Sequence, residues 1–124
     1  MNLLIIDPTD ESPEVILDKD NGRFEFGGKS MPEDVKEFYS PIHLWLEEYS
    51  KDPNAETNVK FKFDYFNSAS AKQILDVLTF FEAIIENGGK VNVDWYYMED
   101  DEDMEEAGES YGTLIDIPIN LIAY

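Results

Sequence analysis

The stretch FDYFNSASAKQILDVL, residues 63–78, changes its hydrophobic pattern in the middle. Before Asn67, apolar and polar residues alternate, as in a strand with one buried face, and after Ser70 apolar residues recur at helical spacing. Small and polar residues at such a join are typical of a turn that leads into a capped helix. The stretch therefore predicts a strand over 57–66 and a helix over 69–87. The apolar face of that strand is predicted to carry Val59, Phe61, Phe63 and Tyr65.

The same patterns predict the remaining elements on both sides of this join. Strands are expected over 2–6, 13–18, 23–28, 90–97 and 115–123, and helices over 31–51 and 100–112. Asn21-Gly22 predicts a hairpin between the second and third strands. Because strands and helices alternate along the rest of the chain, we expect an α/β fold with some parallel pairing. The twofold pattern of the later strands indicates helices mainly on one side of the sheet.

Two prolines modify this scheme. Pro41 removes a backbone donor inside the helical pattern and clashes with the preceding turn, which predicts a kink or two shorter helices, the second capped by Ser40. Pro118 cannot donate to a β-ladder, so the last strand is expected at an edge or with a free N–H side at that residue.

Composition excludes several classes of protein. The 124 residues favour one domain, residues 1–124, and there are no cysteines to form disulfides or thiolate metal sites. The absence of cysteines is compatible with a cytoplasmic, reducing location. The first residues do not resemble a signal peptide, and no segment resembles a membrane span. The formal net charge of -19 argues against nucleic-acid and anionic-membrane partners. The charge fits either solubility alone or a partner with a basic surface.

Catalytic and cofactor motifs are also missing from the sequence. There is no glycine-rich phosphate-binding motif, and a Ser-His-Asp set would have to use His43, the single histidine. The acidic run 99–106 could gather a hard cation for a hydrolase, but consecutive acidic residues on a helix point around its axis. We therefore expect no cofactor and no metal, with a metal-dependent hydrolase left as an alternative.

Two roles are open to Ser68 at the strand-to-helix join. As an N-cap, its oxygen would accept a backbone N–H bond worth about 1 kcal/mol. As a phosphoacceptor, it would carry about -1.5 to -2 charge where free N–H groups and the helix dipole favour an anion. Asn67 and Ser70 would then shape the turn, and Lys72 would lie near the phosphate. The residues alone leave both readings open.

A family resemblance bears on this choice. It is carried by MNLLIIDPTDESPEV (1–15), NGRFEFGGKSMPEDVKEFYSPIHLWLEEY (21–49), FDYFNSASAKQIL (63–75), VDWYYMEDDEDMEEAGESY (93–111) and the closing IPINLI. Nearly end to end, the chain resembles the SiaC-type regulatory phosphoproteins, bacterial domains similar to the STAS anti-sigma-factor antagonists. The resemblance implies a STAS-like mixed sheet with helices mainly on one face, and a switch protein that is not an enzyme.

The resemblance also implies partners and a modification site. In such systems a Ser/Thr kinase phosphorylates the domain, a PP2C-type phosphatase reverses this, and the unphosphorylated form binds and activates a diguanylate cyclase. The acceptor lies at the start of the helix after the YFN strand, which here is Ser68, with Ser70 as the fallback. The family commonly carries threonine at this position, and serine keeps the hydroxyl. A constitutive acidic adaptor, or a mimic of nucleic acid, is the competing hypothesis.

Overall fold

Six strands form one mixed sheet in which each strand pairs with its neighbours in the chain. The structure, a computed structural model, describes residues 2–124. The strands are β1 (Leu4–Ile6), β2 (Glu14–Asp18), β3 (Arg23–Ser30), β4 (Thr57–Phe66), β5 (Val91–Tyr97) and β6 (Ile119–Ala123). The helices are α1 (Val35–Lys51), α2 (Ser68–Glu86) and α3 (Glu102–Leu114).

The direction of pairing changes at β3. Strands β1, β2 and β3 are antiparallel, and the β2–β3 connection is the predicted hairpin, with Gly22 at φ 66°. From β3 to β6 the strands are parallel, and each consecutive pair is joined through a helix. Parallel neighbours need such a crossover, because the chain must return to the same end of the sheet. The predicted α/β class is confirmed.

The helices cover one face of the sheet, as predicted. The core lies between them and the inward side chains of the strands, and its largest fully buried members are Phe24, Phe61, Phe63, Trp95 on the sheet and Tyr39, Tyr49, Phe81 on the helices. The opposite face is polar: Lys60 and Lys62 alternate with the buried residues of β4 and lie over the rings of Tyr96 and Tyr124. The narrower likeness to STAS domains stays a prediction.

Two helices on either side of Pro41 were a wrong expectation. Helix α1 runs unbroken through Pro41, so there is no second helix for Ser40 to cap, and α1 itself is capped by Asp34, whose carboxylate accepts from the Glu37 N–H (3.1 Å). Pro41 and Glu37 both lie on the exposed side of the helix. Water can therefore replace the backbone donor that proline lacks, while the opposite side of α1 stays packed on the core.

The placement of Tyr65 on the buried face of β4 was also wrong. The register between β3 and β4 shifts between Gly28 and Lys29, so that Gly28 pairs with Phe63 and Lys29 with Tyr65. The extra residue reverses the alternation, as a β-bulge does. Tyr65 is 51% exposed, and Phe66 instead turns inward against Phe63, Trp95 and Tyr111.

Pro118 does mark an edge. It directly precedes β6, which is the last strand of the sheet. The Pro118 carbonyl accepts from the Val93 N–H of β5 (3.3 Å), and the missing N–H of the proline falls before the first residue of the ladder, so no ladder bond is lost.

Candidate functional site

The start of α2 is capped by Asn67. Its side-chain oxygen accepts from the Ser70 N–H (2.9 Å), and its backbone carbonyl accepts from the Ala71 N–H (2.9 Å). The prediction that Ser68 is the cap is therefore wrong. The helix begins one residue earlier than the pattern indicated, and asparagine is among the best capping residues, so Ser68 becomes the first helical residue.

The Ser68 side chain is exposed, and its hydroxyl is not held by a hydrogen bond from the described residues. Its hydroxyl makes no hydrogen bond to any other residue between Asn2 and Tyr124, and its side chain faces solvent. The Ser70 N–H is bonded to the Asn67 cap, whereas the N–H groups of Ser68 and Ala69, the first two of the helix, have no partner within it and lie next to this hydroxyl. An anion attached to Ser68 would meet donors that are already in place.

Ser70 occupies the opposite kind of environment. It is fully buried, and the Ser30 hydroxyl donates to its hydroxyl at 2.9 Å. Ser30 is also 2.7 Å from the hydroxyl of Tyr39, so three buried hydroxyls connect β3, α1 and the first turn of α2. A kinase cannot reach Ser70 in the folded protein, which argues against it as the fallback acceptor.

Burial controls the protonation of this hydroxyl chain. Loss of solvent raises the pKa of Tyr39 to about 12, although the hydrogen bonds from Ser30 and Ser70 act in the opposite direction. The phenol therefore stays neutral at physiological pH. The chain of hydroxyls remains a set of neutral hydrogen bonds without a buried charge.

Two further contacts fix the first turn of α2. The Asn67 N–H donates to the Ser30 carbonyl (3.1 Å), and the hydroxyl of Tyr111 on α3 donates to the Ala71 carbonyl (2.7 Å). Together with the buried hydroxyls, these bonds attach the turn to β3, α1 and α3. Ser68 is thus an exposed group on a firmly held backbone.

Charge around this turn is sparse for so acidic a protein. The first turn of α2 contains no acidic residue. Lys72, one turn after Ser68, is exposed, and the ion pairs found among residues 2–124 involve other cations. The positive end of the helix dipole and Lys72 are both left without a fixed anion.

The acidic run 99–106 is used for local structure. Asp101 caps α3 by accepting from the Met104 N–H (3.0 Å), and Glu105 accepts from the Tyr97 hydroxyl (3.1 Å). Glu102 and Asp103 point to solvent. Within residues 2–124, no three His, Asp or Glu side chains come close enough together to hold a metal ion.

His43 is a residue of α1, and its ring contacts α2. Its ring packs 5.6 Å from that of Phe80, centroid to centroid, and it is half-buried. None of the three helices in the described part of the chain has an apolar stretch long enough to cross a bilayer.

The contribution of Ser30 and Tyr39 was missed by sequence reasoning. Both sit in regular elements, and their contact with α2 depends on how β3 and α1 pack against it. The burial of Ser70 had a signal in the sequence, since Ser70, Ile74, Val77 and Phe81 follow helical spacing on one face.

Comparison with known proteins shows the family and the fold of this chain. A family model described as SiaC family regulatory phosphoprotein matches residues 6–124. The structure of SiaC of Pseudomonas aeruginosa superimposes with a TM-score of 0.91, covering 100% of both chains at 25% identity. The crystal structure of the diguanylate cyclase SiaD in complex with its activator SiaC, also from Pseudomonas aeruginosa, matches at 26% identity and TM-score 0.91, over 98% of this chain and 99% of the matched one. An uncharacterized protein of Pseudomonas aeruginosa (strain UCBPP-PA14) is 26% identical over 100% of this chain and 98% of its own length.

Proposed function

The chain belongs to the SiaC family of regulatory phosphoproteins, and we propose that it is a non-enzymatic switch whose protein contacts are controlled by phosphorylation of Ser68. A Ser/Thr kinase adds the phosphate, a PP2C-type phosphatase removes it, and the unphosphorylated form binds and activates a diguanylate cyclase. The protein acts as one cytoplasmic domain, residues 1–124, without a cofactor. The role of SiaC as activator of SiaD supports the choice of effector.

One observation carries the choice of acceptor: Ser68 presents a free, exposed hydroxyl at the first position of α2. A kinase needs an accessible hydroxyl, and the neighbouring Ser70 is buried and already bonded to Ser30. The unpaired N–H groups of the first turn and the free ammonium of Lys72 supply donors for the added phosphate.

The surroundings also determine what phosphorylation changes. Because the Asn67 cap and the bonds from Ser30 and Tyr111 hold the turn, a phosphate on Ser68 can be accommodated without unfolding α2. The modification instead adds bulk and about -1.5 to -2 charge to the surface that a partner contacts. This is the expected behaviour of a switch that is read by another protein.

Intact-protein mass spectrometry tests the acceptor. After incubation with the cognate kinase and ATP, the wild-type protein should gain one phosphate and Ser68→Ala none. Ser70→Ala is the matched control two residues away, and it should be phosphorylated like the wild type. If the Ser68→Ala variant is still phosphorylated, or if a folded Ser70→Ala variant is not, the acceptor is a residue other than Ser68.

The effector is tested by cyclase activity. Purified diguanylate cyclases of the source organism, together with SiaD, are assayed for cyclic-di-GMP production with each form of the protein. The unphosphorylated form should raise the rate of one of them and the phosphorylated form should not. Equal binding by both forms would favour the constitutive acidic adaptor.

A further inference from the structure

The outer side of β6 presents backbone groups that have no strand to pair with. Strand β6 has β5 on one side and, in the described part of the chain, no strand on the other. On the inner side, the Tyr124 N–H donates to the Tyr97 carbonyl (3.0 Å), and the Pro118 carbonyl accepts from the Val93 N–H (3.3 Å). Alternate residues of a parallel strand bond to the same neighbour. The residues whose N–H and C=O groups point outward are therefore Ile119, Leu121 and Ala123.

This edge also lacks the features that usually protect a sheet from further pairing. Natural edge strands are kept very short, or they carry charged side chains, prolines or bulges. The other edge strand, β1, is only three residues long and is followed by Asp7 and Pro8. Strand β6 has five residues, and residues 117–124 contain no charged side chain in a chain of which 30% is charged. The β6 edge is therefore open to another strand.

An apolar side chain lies at the middle of this edge. Leu121 points to the helix side of the sheet, where it lies close to Gly108 of α3, and 37% of it is exposed. A strand added beside β6 covers such a side chain with one of its own, because side chains of neighbouring strands meet on the same face. Strand addition of this kind combines backbone hydrogen bonds with contacts between alternate side chains.

Carboxylates surround the same edge. Tyr97 pairs with Ala123 of β6, and its hydroxyl donates to Glu105 of α3 at 3.1 Å. Partial loss of solvent raises the pKa of Tyr97, and Glu105 raises it further, together with the nearby charges of Glu109 and Glu99. The ion pairs found among residues 2–124 do not involve these three glutamates. A partner that is complementary to this edge therefore carries basic side chains.

The same charges argue against a second copy of the chain as the occupant. Pairing of two β6 strands about a twofold axis brings the glutamates of both copies to one interface, and each copy has a net charge of -19. Like charges placed opposite one another at an interface cost free energy. An extended basic segment forms the same backbone hydrogen bonds without this repulsion.

We propose that β6 docks an extended, basic segment of a partner protein, which adds a seventh strand to the sheet. The segment bonds to the outward N–H and C=O groups of β6, covers Leu121, and directs lysine or arginine side chains toward Glu105 and Glu109. This surface goes beyond the proposed function and does not use the Ser68 hydroxyl. Strand β5 separates β6 from β4, the strand that leads to Ser68. The edge is therefore accessible in both states of the switch.

Amide hydrogen exchange followed by NMR tests the strand addition. The probe is a short peptide of alternating lysine and valine with blocked ends, the lysine peptide, added at millimolar concentration to the isotope-labelled protein. Exchange of the Leu121 N–H should slow about tenfold at about nine-tenths occupancy, because this group then exchanges only while the peptide is dissociated. The Tyr124 N–H, already bonded to Tyr97, is the internal control and should change little. Unchanged exchange at Leu121 overturns the proposal.

Two further peptides separate strand addition from attraction between charges. A peptide of alternating glutamate and valine keeps the backbone, reverses the charge, and should bind about tenfold more weakly or worse. An N-methylated lysine peptide keeps the charge, lacks the backbone donors, and should not slow exchange at Leu121. Equal binding of the glutamate peptide overturns the basic partner, and equal protection by the N-methylated peptide overturns the added strand.

Variants of the protein test the two sets of contacts. Ala123→Pro removes one outward N–H and should weaken binding of the lysine peptide about threefold to tenfold, whereas Ala123→Ser keeps this N–H and should bind like wild type. Glu109→Lys should weaken binding at low salt, and Glu33→Lys makes the same change of charge before α1 and should stay within about twofold of wild type. Wild-type affinity in both Ala123→Pro and Glu109→Lys overturns the proposal.

The outcomes also separate this edge from the switch. None of these experiments uses the Ser68 hydroxyl, so their failure leaves the proposed function intact. Ser68→Glu should bind the lysine peptide like wild type, and loss of binding in this variant would place the peptide at α2 and overturn the edge. Sedimentation of the chain alone should give the same species for wild type and Ala123→Pro. A wild-type dimer that Ala123→Pro dissociates would assign the edge to a second copy and overturn the proposal.

Discussion

Helices α2 and α3 both follow a parallel strand, α2 after one residue and α3 after four, and both are capped by a side-chain oxygen. Asn67 accepts from Ser70 N–H at 2.9 Å, and Asp101 accepts from Met104 N–H at 3.0 Å. Beyond the cap they differ in charge: the first turn of α3 contains Glu102, Asp103 and Glu105, whereas that of α2 contains no acidic residue. Helix α3 has permanent anions at its positive end, whereas α2 begins with an exposed serine and has no acidic residue there.

The two turns also rest on different supports. The third residue of α2 is Ser70, held by the buried hydroxyls of Ser30 and Tyr39, whereas its counterpart in α3 is the apolar Met104. The Met104 carbonyl accepts from the indole N–H of Trp95 (3.0 Å). Directional bonds therefore fix the turn that presents Ser68, and apolar packing contributes more to the other.

The largest expected difference in stability comes from removing the buried hydroxyl of Ser30. Ser30→Ala leaves the hydroxyls of Tyr39 and Ser70 without their shared partner, which should lower the free energy of unfolding by about 1–3 kcal/mol. Met104→Leu, the counterpart beneath α3, conserves volume and should cost less than about 1.5 kcal/mol. Urea denaturation measures both. If Ser30→Ala costs no more than Met104→Leu, the contrast in support is wrong.

Alkaline pH should weaken the same support. Burial raises the pKa of Tyr39 to about 12, so above pH 10 the unfolded chain loses a phenolic proton that the folded protein keeps. Stability is then fully present below pH 10 and is lost as pH rises toward 12, by about 1.4 kcal/mol at pH 11 from this group. Tyr39→Phe lacks this group and should show a shallower loss between pH 9 and 11 in urea titrations. Identical slopes would contradict the role of the buried phenol.

The caps should be nearly equivalent. Asn67→Ala and Asp101→Ala each remove one side-chain acceptor at a helix start and should each cost about 1 kcal/mol, measured by thermal or urea unfolding. A cost at Asn67 several times that at Asp101 would mean that the cap of α2 supports more than its own helix.

The smallest effect tests the missing charge itself. Ala69→Glu should stabilise the protein relative to Ala69→Gln by about 0.3–1 kcal/mol, because the carboxylate meets the positive end of α2. Glu102→Gln should cost a similar amount in α3. High salt should screen both differences. If Ala69→Glu is the less stable of its pair at low salt, repulsion within a chain of net charge -19 outweighs the helix dipole.

The hydrophobic pattern of each segment was sufficient to predict the strands and helices, but not the way in which they meet. Alternation in β4 and helical spacing in α2 predicted both to within a residue or two, because one face of each must be buried. The placement of Tyr65 failed because the register shift opposite Gly28 is a property of the strand pair and leaves no mark on the alternation of one strand. The unbroken α1 was missed because the exposure of Pro41 depends on which side of the helix packs on the sheet.

The same limit applied to the candidate site: the sequence indicated the exposed residue at the join but not the residues that contact it from other elements. Ser68 was found from its position at the join and from the family resemblance, whereas its difference from Ser70 is one of burial. Ser30 and Tyr39 could not be assigned to the site in advance, because they reach α2 only through tertiary packing.

The consecutive order of the six strands has a consequence for how the chain folds. No strand has to be inserted between two that are already paired, because each one joins the edge left by its predecessor. The sheet can therefore grow in the direction of synthesis, beginning with the local hairpin of β2 and β3, and each later step closes a single helical crossover. In this order β4, the strand that leads to Ser68, can pair with β3 while β5 is still unpaired.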